Sequence, residues 1–418
     1  MDVTVAEAEG AGERTVPDIR RAVILYYMAV ALQSGGCLLA LARTLRLFDA
    51  VPLILALGYL VDLLFVGVVL RNRLPLRPAR SVLLAGAVVL LALSLGFLNF
   101  QFTRSLVTES LLYGLFLLKI VIFSHLFGDR DHRALFVRFL GVYAVVAVLF
   151  AVIGVGALMA LSSTVPGIYF NLTPQLLFPF IWSMATGGQP MAMFILVVAL
   201  MAGKRMIILG LLLALALGFR RWMLHPRGLA SLGMLVALAA LGSGLLVEFS
   251  PGAKKSVATS VTLSQALVGG TDESTGWADP PVGPVGALLR RIDRHRYYDA
   301  RSAVAGMTPL EMVVGRGFGY RYEWMHVDIG VTFAVPHFTP AGLFMKFGAV
   351  GTVAWVFLFG GALYAGWRHK SEPLVFACLV FLTCLIVQSL FAYVLFANPL
   401  TAIAIGYLFA RERESAVT

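Results

Sequence analysis

Residues 191–219 read MAMFILVVALMAGKRMIILGLLLALALGF. Two apolar runs, 191–203 and 206–219, meet at Lys204 and Arg205. A helix needs about 20 apolar residues to cross a bilayer. The stretch is therefore too long for one ordinary span and too short for two full ones. Charge placement elsewhere decides the case. Further apolar runs occupy 22–42, 50–70, 81–100, 106–127, 134–161, 176–186 extended backward, 228–248, 340–363, 373–394 and 399–410. If 191–203 and 206–219 cross separately, most basic residues fall on one side. Arg14, Arg20, Arg21, Arg71, Arg73, Arg77, Arg80, Arg130, Arg133, Arg220, Arg221, Arg227, Arg368, Lys370, Arg411 and Arg413 share the side of the N-terminus. The short loops of the other side receive only Arg43, Arg46, Arg104, Lys204 and Arg205. Basic loops stay cytoplasmic. The pattern predicts an all-α polytopic membrane protein of about twelve spans with both ends in the cytoplasm.

Composition agrees. Of 418 residues, 59% are hydrophobic and 13% charged, with a mean hydropathy of +0.87. Soluble domains carry roughly 25% charged residues, so most of this surface must face lipid. The net charge of +11 belongs largely to the flanks of spans and is no nucleic-acid signature. Cys37, Cys378 and Cys384 lie in apolar runs without metal-ligand spacing and read as small buried residues. No repeat of fixed period occurs. The expected organisation is a cytoplasmic tail at 1–21, nine spans within 22–248, a large extracytoplasmic loop at 249–336, three spans within 337–410 and a cytoplasmic tail at 411–418.

The loop is where a charged substrate would be handled. Residues 263–284 are rich in Gly, Pro, Ser and Thr and read as irregular. Residues 285–307 read as an amphipathic helix, with Leu288, Leu289, Ile292 and Tyr297 on one stripe. Arg290, Arg291, Arg294, His295, Arg296 and Arg301 occupy much of the rest. Such a helix either lies on anionic headgroups or presents guanidinium forks to phosphate, which they match in a bidentate way. Arg205, at the end of a short span, either snorkels to headgroups or faces a polar cavity. His337 stands where the chain re-enters the apolar region. Its side chain titrates near neutrality and suits proton transfer from a hydroxyl, although a lone histidine is more often structural. Gly315-Arg316-Gly317-Phe318-Gly319 lacks the Lys-Ser/Thr of a phosphate-binding P-loop and reads as a tight turn. Asp129-Arg130-Asp131 reads as a solvated loop on the cytoplasmic side. Asp62, Glu109, Lys119, Arg138 and Gln388 interrupt apolar runs, and spacing alone pairs none of them.

Three stretches together resemble the bacterial O-antigen ligase and polymerase superfamily. Ala202-Gly203-Lys204-Arg205 before Met206-Ile207-Ile208-Leu209 is similar to its small-small-Arg segment opening an apolar helix. Arg296-Tyr297-Tyr298-Asp299-Ala300, followed by Gly315-Arg316-Gly317-Phe318-Gly319, is similar to its arginine-bearing loop helix and Gly-x-Gly-x-Gly turn. His337 followed by Gly348-Ala349-Val350-Gly351 matches its His and Gly-x-x-Gly spacing. The chain departs from the pattern at Lys204 and Phe338, where serine and asparagine are usual, and near Lys346, where an acidic residue is usual.

The resemblance implies a GT-C-like membrane glycosyltransferase that inverts its sugar without metal or other cofactor. The donor would be a glycan on undecaprenyl diphosphate. Arg205 and Arg296 would hold the diphosphate, with Arg301 or Arg294 as helpers, and His337 would activate the acceptor hydroxyl. The partners implied are the lipid-linked donor, a glycan or lipid-linked acceptor, membrane lipid and a chain-length regulator protein. The expected location is the bacterial cytoplasmic membrane, with the active site outside. A polymerase of repeat units for O-antigen, capsule or exopolysaccharide is the first expectation. A ligase acting on a lipid A core shares the chemistry and differs in acceptor. A lipid-linked sugar transporter would show inverted repeats or paired broken helices. A non-catalytic assembly partner would tolerate change at Arg205, Arg296 and His337.

Overall fold

The computed structural model describes residues 3–35, 51–100, 103–161, 176–201, 205–219, 294–323, 332–334, 336, 338–390, 395–396 and 398–417. It is mostly helical. The described helices are α1 (Val3–Gln33), α2 (Val51–Arg71), α3 (Arg80–Phe100), α4 (Arg104–Leu126), α5 (Arg130–Leu161), α6 (Leu177–Ala185), α7 (Gln189–Met201), α8 (Arg205–Gly218), α9 (Arg294–Val304), α10 (Pro309–Val314), α11 (Thr339–Arg368), α12 (Pro373–Ser389) and α13 (Pro399–Val417). A two-residue strand β1 (Tyr322–Glu323) pairs antiparallel with β2 (Thr332–Phe333).

Local chemistry sets several ends. The Thr103 hydroxyl accepts from the Leu106 amide at 3.2 Å and opens α4. Prolines stand in the first turns of α11 and α12, where a missing N–H costs nothing. Helix α10 opens on a capping box formed by Thr308 and Glu311.

Among the described residues, four helices are long and apolar enough to cross a membrane: Arg80–Asn99, Arg104–Leu126, Arg130–Gly154 and Thr339–Arg368. Large apolar side chains are left uncovered along several of them, Leu90, Leu98, Val142 and Phe357 each being more than half exposed. Such a belt on a protein of this composition is the surface a bilayer would cover. Helix bounds differ from the expected runs. Helix α1 starts in the polar segment at Val3 and ends at Gln33, and α13 continues past Ala410 through the charged end. Across residues 191–219, α7 ends at Met201 and α8 starts at Arg205. At 13 and 14 residues, α7 and α8 are each about 20 Å long. The end of the run expected at 22–42, from residue 36 on, and the run expected at 228–248 lie outside the described residues.

Side-chain contacts orient the bundle. Helices α11 and α12 join at 369–372, and Arg368 and Arg411 pair there with Glu412 and Glu372 at 2.9 and 2.8 Å. We call this the lower end. Helix α11 therefore begins, and α12 finishes, at the upper end. A Cβ on Gly210 would meet Gln388, and one on Gly218 would meet Val380 and Phe376, so α8 runs antiparallel to α12. Arg205 thus opens α8 at the upper end, the end at which α11 follows residue 338. At the centre, Tyr113, Phe116, Phe318, Phe347, Trp355 and Phe396 form one aromatic cluster, with ring centroids 4.9 to 6.1 Å apart where they touch.

Candidate functional site

The glycine-rich segment is not a surface turn. Residues 315–319 run between α3 and α11 with backbone against backbone. Helix α11 breaks at Gly348, which has φ 62° and ψ −166°. At the break, the carbonyls of Met345 and Lys346 accept from the amides of Arg316 at 2.8 Å and Gly317 at 3.1 Å. On the other side, Phe318 donates to the Ala92 carbonyl of α3 at 3.0 Å. Only glycine fits the crossings. A Cβ on Gly315 (φ 83°) would stand 2.3 Å from the Lys346 carbonyl oxygen, and one on Gly96 2.3 Å from that of Phe318. The Gly-x-x-Gly pattern thus has a physical reason. Gly348 makes the break, and Gly351 leaves room for the Phe347 side chain of its own helix and for Val88 of α3.

Side chains then fix the segment. Phe318 is fully buried and stacks on Tyr113 at 5.4 Å. Glu109 of α4 accepts the Gly319 amide at 2.9 Å on one oxygen and Lys346 Nζ at 2.8 Å on the other. The same ammonium donates to the Tyr320 carbonyl at 2.7 Å. Lys346 is wholly buried and Glu109 nearly so. Arg316 is buried as well. It donates to the Ala305 carbonyl at 2.9 Å and to the Tyr320 hydroxyl, stacks on that ring at 4.4 Å, and lies 3.5 Å from Glu311. Its guanidinium is occupied inside the protein, and it ties the exit of α9 to the loop.

Helix α9 is held by two neighbours. It packs against α11 and β1. Tyr297, Tyr298, Asp299, Ser302 and Ala303 are buried. Tyr322 of β1 donates its hydroxyl to Asp299. Burial and the Asp299 carboxylate push that hydroxyl well above its ordinary value, so it remains a donor.

The expected site residues fall as follows. Arg294 and Arg296 stand in the first turn of α9, and Arg205 is the first residue of α8. Their backbones are described and their side chains are not. Arg301 is half-buried in the last turn of α9. His337 lies outside the described residues, between Pro336 and the start of α11. The fold brings α9, β1, β2 and the start of α11 together, and it sets the start of α8 at the same end.

Asp62, Lys119 and Glu109, which interrupt apolar runs, acquire partners that spacing did not reveal. Lys119 pairs with Asp62 at 2.6 Å and Glu109 with Lys346, while Gln388 is buried opposite Gly210. Arg138 is exposed on α5. At the lower end, a groove of about 1280 Å³ is lined by Arg130, Arg133, Arg411, Glu372, Glu414 and Trp182. Two of its arginines are already paired, Arg133 with Glu414 at 3.0 Å and Arg411 with Glu372. Beside it, Asp129 accepts from the Asp131 amide at 3.1 Å and lies 2.8 Å from His132, which gives the Asp129-Arg130-Asp131 stretch a helix-opening role. Partial burial works against the Asp129 charge, but the Asp131 amide and His132 hold its carboxyl below the ordinary range.

No protein-family model matches the chain, and no curated protein matches it in sequence. What the site can do rests on its own geometry and on the motif resemblance.

Proposed function

We propose that this protein is a membrane glycosyltransferase that polymerises undecaprenyl-diphosphate-linked oligosaccharide repeat units at the outer face of the cytoplasmic membrane. The observation that carries this reading is the docked loop. Five residues of backbone, threaded between two helices and held by a buried ion pair, make a costly arrangement to maintain unless something beyond them must be positioned. What lies beyond is α9, with Arg294, Arg296 and Arg301, beside the strand pair that leads toward His337.

In this reading the acceptor hydroxyl attacks the anomeric carbon of the donor. The bond from that carbon to the diphosphate oxygen breaks on the opposite face, and the configuration inverts. Arg205 and Arg296 neutralise the charge that grows on the departing diphosphate, with Arg301 or Arg294 assisting. His337 takes the proton from the attacking hydroxyl. The donor and acceptor are both lipid-linked glycans.

The test uses purified protein in nanodiscs with an undecaprenyl-diphosphate-linked repeat unit. A ladder of longer lipid-linked products is expected, insensitive to chelators and lost in Arg205→Ala and Arg296→Ala. Arg205→Lys should also lose most activity, because lysine keeps the charge without the bidentate fork. Transfer that appears only when a lipid A core is added would identify a ligase instead. Absence of transfer with either acceptor, in a folded preparation supplied with its native substrate, would remove the glycosyltransferase reading.

A further inference from the structure

We infer that Glu109 and Lys346 are positioning residues, a polar clamp that reads the backbone of residues 319–320 and so sets where α9 stands. A buried ion pair is an inefficient way to stabilise a bundle, since apolar side chains of similar volume commonly serve as well or better. Here the pair joins α4 to α11 in a region already filled by Tyr113, Phe318, Phe347 and Trp355. Helix packing alone would favour two more apolar residues.

The hydrogen bonds supply the reason for keeping charge. Each partner spends one contact on the other and one on the loop. Glu109 takes the Gly319 N–H at 2.9 Å, and Lys346 gives a proton to the Tyr320 carbonyl at 2.7 Å. One acceptor and one donor are thereby offered to consecutive residues in a fixed order. If the loop left this position, the buried carboxylate and the buried ammonium would each lose a backbone partner. In a site this dry, losing those partners is costly. The glycines permit the close approach, and the clamp holds the loop there. The position then passes to α9 through Arg316, which holds the Ala305 carbonyl at 2.9 Å, and through Tyr322, which holds Asp299. Neither clamp residue is asked to touch substrate. The clamp's bearing on catalysis rests on the function proposed above, whereas the docking does not.

Two double variants test it, in nanodiscs, by hydrogen–deuterium exchange of the segment 315–322 alongside the global unfolding midpoint. Glu109→Leu with Lys346→Met should leave the midpoint unchanged or raised. The amides of residues 316–319 should then exchange at least tenfold faster. Glu109→Lys with Lys346→Glu preserves an ion pair but reverses the polarity offered to the loop, so it should not restore protection. Wild-type protection in either double variant would overturn the clamp, because an ordinary helix–helix ion pair tolerates both changes. Transfer by the apolar variant should fall at least tenfold, with donor binding weakened more than turnover on donor already bound. If the wild type performs no transfer, the function proposed above fails, and the exchange result still decides the clamp by itself.

Discussion

Replacing Gly315 by alanine adds a single methyl group at the most constrained crossing in the protein. Gly315 has φ 83° and ψ 174°, a region open essentially to glycine alone. Holding another residue there costs about 1–3 kcal/mol. The methyl would also lie 2.3 Å from the Lys346 oxygen, 2.5 Å from its carbon and 2.5 Å from the Phe347 nitrogen. All three are backbone atoms of a helix, which cannot swing aside as a side chain tip can. Overpacking of that kind costs about 1–3 kcal/mol. Together the two effects give about 2–6 kcal/mol, or about 30-fold to 10⁴-fold in the ratio of docked to undocked loop. Phe318 gives the loop one place in the central aromatic cluster, but most of the helix packing lies outside residues 315–319. The expected result is therefore local: residues 315–322 gain hydrogen exchange, and trypsin gains access after Arg316 and Arg321, while the unfolding midpoint moves little. Gly86→Ala is the control. A Cβ there meets nothing within 4 Å, and the change in a helix interior should stabilise by up to about 1 kcal/mol. Wild-type exchange and cleavage in Gly315→Ala would refute the docked-loop geometry.

Three further outcomes follow from the same contacts. Lys119→Met leaves Asp62 as an unpaired charge inside the bundle, at an expected cost of about 3 kcal/mol, and Asp62→Leu added to it should recover most of that loss in detergent unfolding. Gly210→Ala would place a methyl 2.2 Å from the Gln388 amide nitrogen, a side-chain tip that can turn aside, so any loss of transfer should be modest and return with Gln388→Ala, whereas a loss that Gln388→Ala does not rescue would refute this contact as its cause. The third concerns pH. The Thr308 amide, with Arg316 behind it, holds the Glu311 carboxyl below its ordinary 4.5 despite some burial. A depressed carboxyl contributes stability that is full above the ordinary value and disappears as pH falls through the depressed one. Protection of α10 should thus weaken in acid below about pH 4.5, and Glu311→Gln, which keeps an acceptor for Thr308, should flatten that dependence.

Much of the bundle was legible in the sequence because its determinants are local. An apolar run of about 20 residues specifies a membrane-length helix wherever it occurs. The division of residues 191–219 into two short helices followed from charge placement alone. The arginine-bearing helix was legible as well, although its described part begins at Arg294, later than the expected 285. Residues 315–319 were read as a tight turn, because glycine content gives conformational freedom without saying what comes close. Lys346 registered only as a departure from a motif, and Glu109 only as one of five ionisable or polar interruptions. Each has meaning only with the other, and 237 positions separate them.

What the sequence determined by itself is a chain of apolar helices interrupted late by a basic polar segment, since hydropathy and charge are properties of single residues summed along a window. Only the tertiary structure decided that Gly315, Gly348 and Gly96 serve one crossing, that Lys346 belongs to Glu109, and that Lys119 belongs to Asp62. Those are facts of approach between distant backbones. A buried charge declares in sequence that it needs a partner, but which partner it finds depends on where the helices pack.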